Sequence, residues 1–126
     1  MEGMYIPYYI GQEIYEVVDN VDWKGEREVR FHTYEASMIT IKRDNSLKIR
    51  FSITSDKSGR QVTLSPQDID VDKAPTTYEN SKCSHWRKYF SNKSCAKKVY
   101  DDLCDDVQRQ KDKLETKDVD ILDIFF

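Results

Sequence analysis

The most regular stretch of the chain is Leu47 to Ile53. Leu47, Ile49, Phe51 and Ile53 alternate with Lys48, Arg50 and Ser52. Strict period-two alternation predicts a strand with one buried and one wet face. Met38 to Arg43, with Ile39 and Ile41 on one face, predicts its hairpin partner. Asp44-Asn45-Ser46 between them supplies turn residues that tolerate positive φ and bond their own backbone. Upstream, Glu28 to Tyr34 alternates: Val29, Phe31 and Thr33 face one way, Arg30, His32 and Tyr34 the other. Gln12 to Val18, opened by Gly11, is a further run of β formers, and Asp19 to Gly25 reads as a loop carrying Trp23. Downstream, Ser55 to Gly59 predicts a turn and Gln61 to Leu64 a short strand, ended by Pro66 because proline cannot donate to a ladder.

Sequential short strands joined by turns predict an antiparallel meander, whose apolar face must be closed or covered. A small SH3-like barrel is the favoured solution. A curved sheet packed on a helix is the alternative. Residues 67–90 read as a connector, polar at first, then aromatic and unassigned from Tyr78 to Phe90. The period then changes. Ala96, Val99, Tyr100, Leu103, Val107 and Leu114 form one stripe at helical spacing. Lys97/Asp101, Lys98/Asp102 and Asp105/Arg109 sit four apart on the wet face. A helix over 91–116 is expected, with Ser91 or Ser94 as N-cap and fraying after Leu114. The expected fold is thus a single α+β domain over 1–126: sheet or barrel (1–66), connector (67–90), amphipathic helix (91–116) and a terminal tip (117–126).

Composition narrows the class. The chain has 126 residues, 38% hydrophobic and 34% charged, with eight tyrosines. This is enough apolar material for a modest core. Twenty basic against 23 acidic residues give a net charge of -3, which argues against a generally basic nucleic-acid coat. No apolar run approaches the roughly 18 residues of a membrane helix, and Met1 to Ile10 lacks the basic flank and cleavage site of a signal peptide. Three scattered cysteines suggest a reducing compartment rather than a disulfide framework. A soluble cytoplasmic protein with no membrane contact is expected.

Candidate chemistry is sparse. Cys83, His85, Cys95 and Cys104 lack the paired spacing of a structural zinc site, and Cys95 and Cys104 would leave one helix in opposite directions. No nucleophile elbow or phosphate loop occurs, and His32 reads as a surface strand residue. Neither a catalytic site, a metal nor a cofactor is expected. Between Lys24 and Arg60, however, nine basic side chains face five acidic ones. Arg30, Lys42, Lys48 and Arg50 are expected on the polar side of adjacent strands near His32 and Tyr34, a possible platform for a nucleic acid or nucleotide. A solvated face whose cations discourage edge pairing is the simpler account. Among the aromatics, Tyr5, Tyr8 and Tyr9 could line a groove, while Tyr15 and Trp23 are expected in the core.

The terminus is more specific. Asp118 to Phe126 alternates acids with large apolar groups and ends on two phenylalanines. Either the tip folds back as a strand and buries Ile121, Ile124 and Phe126, or it docks on another molecule. Ile121-Leu122-Asp123-Ile124-Phe125 resembles the short peptide by which bacterial and phage proteins bind the replication sliding clamp, a glutamine-leucine-(serine or aspartate)-leucine-phenylalanine pattern. Leu122, Asp123 and Phe125 match it, Ile124 is conservative, and Ile121 replaces the glutamine. More broadly, the opening Gly11-Gln12-Glu13-Ile14-Tyr15-Glu16-Val17 and the later Tyr89-Phe90-Ser91-Asn92-Lys93-Ser94-Cys95-Ala96 are similar to segments of small β-barrel accessory proteins of phages and prophages. These resemblances imply a non-enzymatic accessory protein that modulates or inhibits a host, replication or defence protein, with Leu122, Asp123, Ile124, Phe125 and Phe126 in contact. The alternative is a nucleic-acid or nucleotide binder using Arg30, Tyr34, Lys42, Lys48 and Arg50.

Overall fold

The structure, a computed structural model, describes residues 6–79 and 82–125, with side chains described as far as Leu114. Six strands, β1 (Glu13–Val21), β2 (Arg27–Ile41), β3 (Leu47–Ile53), β4 (Gln61–Leu64), β5 (Thr76–Thr77) and β6 (Ser84–Phe90), precede one helix, α1 (Lys93–Phe125). The sheet is antiparallel, in the order β4-β3-β2-β1-β6-β5. It curls into a half-barrel. The fold is therefore α+β, as expected: a curled antiparallel sheet followed by one long helix, with β4 and β5 as the outermost strands among the described residues.

The curl originates in β2, which sequence patterning splits in two but which runs unbroken for 15 residues. Its first half pairs with β1, Val21↔Arg27 to Glu13↔Glu35, and its second half with β3, Tyr34↔Ile53 to Ile41↔Leu47. Between Ala36 and Met38 the register slips. The extra residue, Ser37, bonds the Arg50 carbonyl at 3.1 Å through its hydroxyl. A bulge bends and twists its strand, which carries β2 from one half of the sheet into the other. Asn45 adopts φ 66° in the β2–β3 turn, as its residue type allows.

The curl leaves two apolar layers on opposite faces of one sheet. Inside it, Ile14, Tyr34, Ala36, Ile49, Phe51, Ile53, Leu64 and Ile69 form the larger core. Outside, Tyr15, Val17 and Phe90 pack with Ala96 of α1, flanked by Phe31, Tyr100 and Leu103. The Phe31 and Tyr100 rings meet edge to face at 5.6 Å. Because β1 lies between the two layers, all five residues from Ile14 to Val18 are buried. Tyr15 thus joins the core as expected. Trp23 does not: β1 extends to Val21, and Trp23 stands 72% exposed in the tight Asp22–Gly25 turn, with the Lys24 ammonium 5.2 Å from its ring centroid.

The presumed connector conceals β6, whose seven residues pair with β1 from Tyr15↔Phe90 to Val21↔Ser84. Ahead of it, Ile69 bridges to Tyr89, and the Asp70 amide donates to the Tyr89 carbonyl at 2.7 Å, closing the floor of the half-barrel. Helix α1 is capped by neither expected serine. Asn92 accepts the Cys95 amide at 3.0 Å, while Ser91 bonds Asp70. The helical backbone extends past Leu114 to Phe125.

Arg27 fastens α1 to the sheet. It holds Asp19 with two parallel bonds of 2.8 Å and reaches Asp106 of the helix at 2.6 Å. Hydrogen bonds to charged groups contribute about 1.5–3 kcal/mol, and Arg27 is only 14% exposed. Arg27→Met is expected to cost roughly 2 kcal/mol. The same bond, first among its causes, holds the Asp106 carboxyl below its usual value. A lowered folded-state value contributes stability that is present above the ordinary carboxylate range and lost as pH falls through the folded value. The wild type should therefore lose part of its stability below about pH 4, and Arg27→Met should remove that part. Urea midpoints of both proteins between pH 3 and 6 check this.

Candidate functional site

The concave face is not uniformly apolar. Following the register along β1, Ile14 pairs with Tyr34, Glu16 with His32, Val18 with Arg30 and Asn20 with Glu28. On the other flank Glu16 pairs with Tyr89, Val18 with Arg87 and Asn20 with His85. All these side chains share one face because they sit at alternate positions of adjacent strands. The inner surface therefore grades from a greasy end at Ile14 and Tyr34 to a polar mouth at Asn20, Arg30 and His85.

Glu16 lies where the two zones meet, fully buried. A bare carboxylate there would be very costly, and five groups surround it, Tyr89 among them. His32 Nδ1 is 2.8 Å from Oε1, and the Tyr34 hydroxyl donates to the same oxygen at 3.3 Å. Arg87 Nε approaches Oε2 at 3.2 Å, and Arg60 Nη2 at 3.8 Å. The Arg87 contact has the distance of an ion pair but not the direction of a hydrogen bond: neither Glu16 Oε2 nor Arg87 Nε has a hydrogen-bond partner among the described residues. Burial, then the neighbouring Glu16 charge, push the Tyr34 hydroxyl up to about 12. Burial and Glu16 likewise raise Tyr89 well above its ordinary value. Both phenols stay neutral donors at physiological pH.

Beyond Glu16 the mouth opens into a cavity of about 180 Å³. Arg30, Arg60 and Arg87 line it, with His32 and His85. Its acidic wall residue, Glu28, is gripped by Arg30 through two 2.8 Å bonds. Two guanidiniums, Arg60 and Arg87, thus share the single carboxylate of Glu16, and their side chains remain 37% and 32% exposed.

The basic platform expected from the sequence is divided by this register. Arg30 and Tyr34 lie on the concave face. Lys48 and Arg50 alternate with the buried Ile49 and Phe51 and so leave the opposite side of β3. Lys48 reaches Ser65 at 3.4 Å, and Lys42 lies beyond the end of β2 in the turn to β3. His32 is not a surface residue; its side chain is 15% exposed and bound to Glu16. The residues missed were Glu16, Arg60 and Arg87; His85, weighed in the sequence as a metal ligand, lines the cavity instead. Only the unusual placement of Glu16 in a run of β formers could have flagged them. Among the described residues no group of three or more histidine, cysteine, aspartate or glutamate side chains could hold a metal, and no helix is long and apolar enough to cross a membrane.

On the outer face, α1 packs against the sheet from Ala96 to Leu103 and is clamped at Asp106. Past that point its stripe continues at Val107 and Leu114, the latter 65% exposed. An open cleft of about 430 Å³ separates this stretch from the Gly25–Arg27 turn. The proposed contact residues Leu122, Asp123, Ile124, Phe125 and Phe126 lie outside the described side chains. Comparison with known protein families, curated proteins and solved structures returned no match to the chain.

Proposed function

We propose that the protein is a non-enzymatic accessory protein, of the kind phages encode, that acts by occupying a surface of another protein. One observation supports this reading above others: the helical backbone of α1 continues from Asp106, which Arg27 ties to the sheet, as far as Phe125. A helix rises about 1.5 Å per residue, so the backbone from Val107 to Phe125 runs some 25–30 Å beyond the Asp106 clamp. That arm leads to the acidic-apolar segment resembling a clamp-binding peptide. Leu122 and Phe125 would fill an apolar pocket of the partner, and Asp118, Asp120 and Asp123 would steer the tip to a basic rim. Few residues dominate such contacts. Leu122→Ala with Phe125→Ala is therefore expected to weaken binding to a purified bacterial sliding clamp at least a hundredfold, with the fold unchanged by circular dichroism. Equal binding by the double variant, or none by the wild type, removes the clamp as partner. If capture from bacterial lysate then also proves identical with and without residues 118–126, the tip is not the docking element.

A further inference from the structure

We infer that the mouth of the half-barrel is an oxyanion site that takes a phosphoryl group, separate from the protein-docking arm on the opposite face. Three arginines reach it from three parts of the chain: Arg30 from β2, Arg60 from the loop just ahead of β4 and Arg87 from β6. A guanidinium carries five donors in a rigid plane. Glu16, even fully engaged, leaves most donors of Arg60 and Arg87 unused, and both side chains are partly open to the cavity. The counter-charge is already committed: Glu16 is buried behind the arginines and Glu28 is held by Arg30. His32, His85 and Asn20 add polar groups to the wall. Forks converging from three directions offer more donors than the two oxygens of a carboxylate can accept, and they suit the several oxygens of a phosphoryl group. The cavity, about 180 Å³, is smaller than pockets that enclose a whole drug-sized ligand. It would hold the phosphoryl group and leave any attached organic portion outside.

The probes are inorganic phosphate and adenosine monophosphate, titrated into the full-length protein and followed by calorimetry and by the imidazole resonances of His32 and His85. Saturable one-to-one binding with shifts of both histidines is expected. Equal affinities would mean that the oxyanion alone is read; tighter adenosine monophosphate would mean a nucleotide. Arg30→Gln and Arg60→Gln should each weaken binding at least tenfold. Arg30 does not touch Glu16, so its variant keeps the test valid should Arg60→Gln fail to fold. Glu28→Gln, which releases Arg30, should tighten binding severalfold. Lys48→Gln and Arg50→Gln, on the other face, should change nothing. Absence of saturable binding of either probe would overturn the inference. So would affinity indifferent to Arg30 and Glu28, or a loss in the Lys48 and Arg50 variants as large as that in Arg30→Gln.

Discussion

Glu16→Ala is expected to destabilise the protein by about 3 kcal/mol, the lower end of what breaking a buried ion pair costs. Removing the carboxylate strands the partners gathered around it: the Tyr34 hydroxyl loses its acceptor, His32 loses its 2.8 Å bond, and Arg60 and Arg87 are left with like charge on one side of a sheet. The loss stays near the lower bound because both arginines are about one-third exposed and can turn their heads to water. Glu16→Gln keeps an acceptor for Tyr34 and adds an amide that suits neither guanidinium, so roughly half the loss is expected. Equilibrium urea unfolding of the three proteins measures this, with a midpoint shift on the order of 1–2 M for the alanine variant. A shift below a few tenths molar would mean that the carboxylate is replaceable by water and that the cluster is not what joins β1, β2 and β6 at their centre.

Phe51→Ala should have a similar or larger effect, about 3–5 kcal/mol. Phe51 has no exposed surface and sits in the larger core, between Ala36 on β2 and Val62 on β4. The curl surrounds it on several sides, so its cavity cannot easily collapse. Leu103→Ala on α1 provides the contrast. Leu103 is only partly buried against the outer layer, and a loss of about 1–2 kcal/mol is expected there, below the 2–5 kcal/mol of a fully buried leucine. Thermal or urea unfolding of the two variants gives the ranking. If Leu103→Ala proved the more damaging, the helix layer rather than the interior of the curl would dominate stability.

How much of this was legible depends on how each segment meets water. Strands β3 and β4 were read with their full extents because each has one wet face: Lys48, Arg50 and Ser52 mark it in one, Gln61 and Thr63 in the other. β1 was recognised by its β formers but cut short, because Asp19 and Asn20 look like a turn when the bonds of Asp19 to Arg27 are unknown. β6 was missed. Trp86, Lys88 and Phe90 face the helix layer, and His85, Arg87 and Tyr89 the mouth, so polar and aromatic residues occur on both sides and no alternation survives. Ser91 and Ser94 were named as caps and Asn92 was not, although asparagine is as good a cap; the contact that engages Ser91 elsewhere, Asp70, lies far back in the sequence. The Glu16 cluster is the deepest gap. Its members come from β1, β2, β6 and the loop ahead of β4, and the one sequence signal, a single glutamate among Ile14, Tyr15, Val17 and Val18, names no partner until the neighbouring strands are in place.

The ends of the sheet are stubs: β4 has four residues and β5 two. Short edge strands blunt a sheet margin against pairing with another chain, and both outermost strands among the described residues are short. Concentrated solutions of the protein are on that ground expected to resist strand-to-strand association at these two margins.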